Sequence, residues 1–134
     1  MSERAPREWT LEVELPGLAT DVEDTYVAGR APEDGVLSAA SFTPVANVTG
    51  AASNNRQYDV INKGQDGNGT VVMATLAFGS GVNATDFNEQ AFTLSVVEGA
   101  TEVAEGDVIA VLSSAPGTGI ADPGGRVDLT FARS

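Results

Sequence analysis

YDVINKGQDGNGTVVMATLAF, residues 58–78, is the stretch around which the chain is organised. Two apolar, β-branched runs, residues 58–61 and 70–78, flank residues 62–69, which hold three glycines, two asparagines and an aspartate. Those residue types reach positive φ or cap their own backbone in turns, so the stretch reads as strand, extended turn, strand. The second run is apolar at nearly every position, which predicts a place inside a sheet rather than at its rim. The remaining β-like segments must find places beside this pair.

Working outward, Trp9-Thr10-Leu11-Glu12-Val13-Glu14-Leu15 alternates strictly. Trp9, Leu11, Val13 and Leu15 fall on one face of a strand, and Thr10, Glu12 and Glu14 on the other. Pro16-Gly17 ends the run. Such a strand near a terminus is either an edge of the chain's own core or a segment that pairs with a neighbouring molecule. The polar residues 19–24 set it apart, so residues 1–20 are expected to form an extended N-terminal arm and residues 21–134 a β-sandwich domain. Thr25-Tyr26-Val27-Ala28 reads as a short strand. Residues 36–45 read as a longer one broken by Pro44, which predicts an edge position or a bulge there. Asn83-Ala84-Thr85-Asp86-Phe87-Asn88 is rich in capping residues and predicts a single helical turn. Residues 91–97 resume strand character with Phe92, Leu94 and Val96 on one face, and residues 108–112 and 126–132 supply two more strands. About eight short strands without an amphipathic segment of helical length predict an all-β fold: an antiparallel two-sheet sandwich, jelly-roll-like, preceded by the arm.

Composition excludes much chemistry. Among 134 residues there is no cysteine and no histidine. Disulfides, thiolate metal sites and cysteine nucleophiles are thereby removed, as are the commonest general base and transition-metal ligand. The formal charge is −12, from 19 acidic and 7 basic residues. Duplex binding and adhesion to anionic membranes both rely on Lys and Arg, so neither nucleic acid nor a membrane is an expected partner. No basic region followed by an apolar core marks a secretory signal, and no run approaches the ~20 apolar residues of a membrane helix.

The remaining constellations fail one by one. Asp66-Gly67-Asn68-Gly69 resembles part of a calcium loop, but Thr70 falls where a third oxygen ligand is usual and Ala77 where the bidentate acid belongs. The glycines around it are followed by a strand, not by a helix whose N-terminus holds a phosphate. Lys63, the sole lysine, lies in a polar turn, where it is a poor activator for a serine. Nothing selects two of the 19 acids as a glycosidase pair. Asn47-Val48-Thr49, Asn68-Gly69-Thr70 and Asn83-Ala84-Thr85 match the glycosylation triplet by chance in an Asn- and Thr-rich chain. The reading is therefore of a protein with no catalytic residues, metal or cofactor.

Several segments together carry a family resemblance: Asn54-Asn55-Arg56; Asn62-Lys63-Gly64 with Gly67 and Gly69-Thr70; Gly81-Val82-Asn83; Ala104-Glu105-Gly106-Asp107-Val108; and Gly117-Thr118-Gly119-Ile120-Ala121-Asp122-Pro123-Gly124-Gly125. In this order, over roughly residues 25–131, the chain resembles capsid decoration, or cement, proteins of tailed bacteriophages that infect actinobacteria. The resemblance implies a non-enzymatic virion protein, made in the host cytoplasm and seated on the outer capsid surface. It further implies a homotrimer that clamps neighbouring copies of the major capsid protein. Trp9, Leu11, Val13 and Leu15 are the candidate capsid or inter-subunit anchors, because buried aromatic and aliphatic side chains dominate interfaces. The alternative is a carbohydrate-binding β-sandwich module. Such sites present several exposed aromatics, whereas 6% of this chain is aromatic, with one Trp and two Tyr.

Overall fold

The computed structural model describes residues 8–133. Its strands are β1 (Glu8–Leu15), β2 (Asp24–Arg30), β3 (Gly35–Pro44), β4 (Gln57–Gly64), β5 (Val71–Ala77), β6 (Gln90–Ala91), β7 (Thr93–Leu94), β8 (Glu102–Val103), β9 (Val108–Ser114) and β10 (Gly125–Arg133). They form two antiparallel sheets, one ordered β1-β10-β3-β6 with β8 also on β3, the other β2-β9-β4-β5-β7. The pairing is nested. β4 turns back into β5, β3 pairs with β6 and β8, β2 with β9, and β1 with β10. A long hairpin bent so that successive pairs fall in opposite sheets is a jelly-roll sandwich. The stretch at residues 58–78 is the tip of that hairpin.

β4 has long neighbours on both sides, β5 and β9. β5 is flanked on its far side only by the two residues of β7, at Ala74 and Thr75. Met73, Ala74 and Leu76 are buried as the apolar run predicts, but Val71 and Val72 lie exposed at its start. Between the sheets, Phe42, Tyr58 and Phe78 pack as a ring cluster, with centroids 4.6 Å apart for Phe42–Tyr58 and 6.1 Å for Tyr58–Phe78. Leu37, Val60, Ile109, Val111, Val127, Leu129 and Phe131 complete this buried layer.

The expected arm, from Glu8 onward, is the edge strand of the first sheet. It pairs with β10 along its whole length, from Glu8 opposite Ala132 to Leu15 opposite Gly125. Residues 1–7 of that arm lie outside the described residues. The alternation is as read: Trp9, Leu11 and Val13 are half-buried and Leu15 is buried, while Glu8, Thr10, Glu12 and Glu14 are exposed. The apolar face turns into the chain's own sandwich, where Trp9 stacks on Phe131 at 4.1 Å with ring planes 8° apart. Gly35 makes room for the indole, since a Cβ there would stand 3.2 Å from Trp9 Cζ2 and 2.9 Å from the Ala132 carbonyl oxygen. Residues 16–23 therefore connect two strands of one domain rather than separating an arm from it.

Three local expectations are corrected. β3 is not at an edge, because β10 lies on one side of it and β6 and β8 on the other; Pro44 is its last residue, so the missing N–H costs little. Residues 83–88 form turns and a single bridge between Val48 and Ala84 instead of a helical turn. Residues 91–97 are not one strand: the chain leaves the first sheet after Ala91, passes through buried Phe92, and joins the second at Thr93. Val96, read as sharing a face with Phe92 and Leu94, is 98% exposed while Phe92 is buried.

The hairpin tip gives a direct test. Gly67 has φ 84°, and a Cβ there would meet nothing within 4 Å, whereas a Cβ on Gly69 would meet Asn62 O at 2.6 Å. Gly67→Ala should cost about 1 kcal/mol, the strain of a left-handed backbone alone. Gly69→Ala should cost clearly more, because main chain must move. Calorimetric melting measures both. Equal losses, or melting that responds to calcium, would contradict this account of the turn.

Candidate functional site

At the end of the sandwich where β4 begins, a buried polar cluster ties three connections together. Arg56 is fully buried and uses every guanidinium N–H. Its Nε donates to Ile120 O (3.2 Å), and Nη1 to Val22 O (2.8 Å) and Ser113 Oγ (3.2 Å). Its Nη2 donates to Ala19 O (3.1 Å) and Ile120 O (2.8 Å), with Thr20 O at 3.4 Å. Asp122, also buried, accepts from Tyr58 Oη (2.7 Å), Ser113 Oγ (2.6 Å) and the Gly124 amide (2.8 Å). Burial, with the Asp122 carboxylate beside it, pushes the Tyr58 hydroxyl far above its ordinary value, so it stays a neutral donor. The loops are joined again by Thr118 N to Asn54 Oδ1 (3.0 Å) and Asn55 N to Pro116 O (3.2 Å). Two segments of the family resemblance thus meet in space. Ser113, the hydroxyl nearest a carboxylate here, is sealed from solvent, so the cluster pins loops and offers no nucleophile.

A second cluster lies at the other end of β4. Asp107 accepts from Gln65 Nε2 (2.6 Å), Asn62 Nδ2 (3.0 Å) and the Ala104 amide (2.9 Å). Burial works to raise its carboxyl, but the bonds from Ala104, Asn62 and Gln65 prevail and hold it below the usual carboxylate range. The neighbouring Asp66 closes a turn onto the Asn68 amide (3.1 Å). Among the described residues no three acidic groups gather as metal ligands would.

The surface distributes differently from the expectation. The structure brings Trp9, Leu11, Val13 and Leu15 onto one face, but that face packs against the chain's own core. The outward apolar surface is elsewhere: Val71, Val72, Leu94, Val96 and Val97 line a shallow depression beside β5 and β7. Val96 and Val97 are 98% and 70% exposed, and Val71 and Val72 are 48% and 41% exposed. Sequence reasoning missed this patch because it placed Val71 and Val72 inside a sheet and read residues 91–97 as one strand with Val96 on the face of Phe92 and Leu94. The available signal was the turn Glu98-Gly99 directly after Val96-Val97, which leaves those side chains no continuing ladder.

No family model matches the chain, and no curated protein does. Among solved structures, a chain from the structure of the infectious bursal disease virus Gx strain is similar at 12% identity and a TM-score of 0.42. That match covers 96% of this chain and 32% of the other, so this chain spans about a third of its length. A chain of the Bacillus endospore appendages, described as disulfide-linked pili, is similar at 11% identity and a TM-score of 0.37, covering 100% of this chain and 96% of the other. At these scores neither likeness carries anything about activity or partners. The fold is an all-β, two-sheet antiparallel sandwich.

Both clusters make predictions. Arg56→Met leaves the buried carbonyl oxygens of Ala19, Val22 and Ile120 without their donor, and should cost roughly 3 kcal/mol or more in urea unfolding. Arg56→Lys should recover little, since an ammonium lacks the planar fork that reaches separate carbonyls. A substitution costing nothing would contradict the pinning role. The sign for Asp107 follows from its lowered value in the folded state. Its contribution is fully present above the unfolded value of about 3.9 and is lost as pH falls through the folded one. Asp107→Asn should flatten the loss of stability below about pH 4, measured as melting temperature against pH.

Proposed function

We propose that this chain is a structural virion protein that binds the outer surface of a tailed-phage capsid and holds neighbouring major capsid subunits together, acting as a homotrimer and without enzymatic activity. The observation that carries this reading is the exposed valine patch beside β5 and β7. A contiguous outward apolar surface on a β-domain is a mark of protein–protein contact. Here it is presented by a frame whose loops are fixed from inside by Arg56 and Asp107, so little order has to be gained on docking. The order of segments shared with capsid decoration proteins supports the same reading, and the charge of −12 turns it away from the packaged DNA. Clamping works through linkage. Each contact is modest, but a trimer engages several subunits at once, and linked contacts act at effective concentrations of about millimolar order.

The test is retention on undecorated capsids. Val96→Asp with Val97→Asp, both on the surface, should leave the melting temperature unchanged while weakening retention about tenfold or more. Full retention by this variant removes the patch from the interface, and failure of the unaltered protein to bind any capsid removes the reading.

A further inference from the structure

Phe87 is the only described non-glycine residue with positive φ, 63°, and its surface is 72% exposed. A bulky residue in that region is a backbone outlier, and such strain persists only where surrounding contacts impose it. They do so here. The Phe87 amide donates to Pro44 O (2.8 Å), and Val48 and Ala84 exchange main-chain bonds of 2.8 and 2.9 Å. Asn47 Oδ1 accepts from the Asp86 amide (2.8 Å), and Asn83 Oδ1 from the Gly50 amide (2.9 Å). The loop is braced, and the ring is held out to solvent as one wall of a groove of about 470 Å³ at the end of β1 and the start of β10.

The groove's charges are unequal. Val45 and Pro123 join Phe87 in the apolar lining, and Glu14, Arg126 and Asp128 supply the charge. Glu14 stands opposite Arg126 in the β1–β10 register, and Glu12 opposite Asp128. The Arg126 guanidinium is committed to Glu12 and to Asp128, the latter at 2.9 Å. Glu14 is left without a hydrogen-bond partner among the described residues. Glu14 does face Arg126 and adds to the field on its guanidinium, but with Glu12 and Asp128 three carboxylates surround that one cation. An aromatic face beside an excess of carboxylates is complementary to a planar cation. We propose that this groove receives an arginine side chain of a partner polypeptide, stacked on Phe87 and ion-paired with Glu14.

The described arginines of a second copy are poor donors to it. Arg30 is bonded to Gly106 O (2.9 Å), Arg56 is buried, Arg133 pairs with Glu33 (3.3 Å), and Arg126 belongs to the groove itself. Arginine fits better than lysine because its flat, weakly hydrated head both stacks and bonds a carboxylate through two N–H groups. The inference deepens the capsid-binding reading by naming the chemistry of one contact, and it rests on that reading only for the partner's identity.

The experiment is an amide NMR titration of the isotope-labelled full chain with acetyl-Gly-Arg-Gly-amide and with its citrulline counterpart, a neutral isostere. Shifts at Glu14, Thr43, Phe87 and Arg126 are expected with the arginine peptide and not with citrulline. Phe87→Ala and Glu14→Gln should each weaken binding about five-fold, with melting temperatures unchanged. Three outcomes overturn the proposal: no shifts at the groove, equal shifts with citrulline, or shifts produced instead by methyl glycosides. Self-association abolished by Phe87→Ala would also overturn it, assigning the groove to a second copy. The same variants on undecorated capsids separate the two readings. Arginine binding without capsid retention overturns the capsid partner alone, and capsid retention without arginine binding overturns the groove alone.

Discussion

The buried guanidinium of Arg56 is the constraint on which the rest of the structure depends. Removing that charge from water costs several kcal/mol, and only a complete set of acceptors offsets it. The acceptors come from residues 19–22 and from Ser113 and Ile120, so two stretches far apart in sequence must converge on Arg56. Tyr58 carries the constraint inward. Its hydroxyl is bonded to Asp122 and its ring packs on Phe42, so the polar pin and the apolar core share a side chain. Asp122 carries it outward as well, through paired main-chain bonds with Leu18 (3.1 and 2.9 Å) that fix where the chain leaves β1.

That arrangement explains which features could be read from the sequence. β1, β4, β9 and β10 were legible because period-2 alternation or a continuous apolar run is imposed locally by the faces they bury. The place of β1 was not. Residues 16–23 look like a linker because their few apolar side chains follow neither a strand nor a helix period, and their order comes from carbonyl oxygens bonded to an arginine more than thirty positions away. No local pattern encodes such a partner. The split of residues 91–97 between sheets was hidden for a related reason: two-residue strands are too short to show a period.

The surface features were less legible still. An apolar run predicts burial, yet burial of Val71 and Val72 would need a long strand outside β5, and β7 ends before reaching them. Phe87 sits among residues that favour caps, and nothing in propensity announces a phenylalanine with a left-handed backbone. Trp9, Leu11, Val13 and Leu15 show the reverse case: their pattern identified a face correctly, but only the nested topology says that the face is closed by the molecule itself.

The nesting has a consequence for how the chain reaches this state. The tip at β4 and β5 joins residues close in sequence, whereas Glu8 meets Ala132, nearly the full chain apart. Pairs of such separation require closure of very large loops before any contact rewards them, so assembly of this fold is slow and its outermost pair is favoured to close late. Until β1 docks, β10 presents a free main-chain edge and Phe131 lacks its stacked indole. Of the ten described strands β1 emerges first in synthesis and β10 last, so β1 must wait for its partner until the rest of the sandwich has been made.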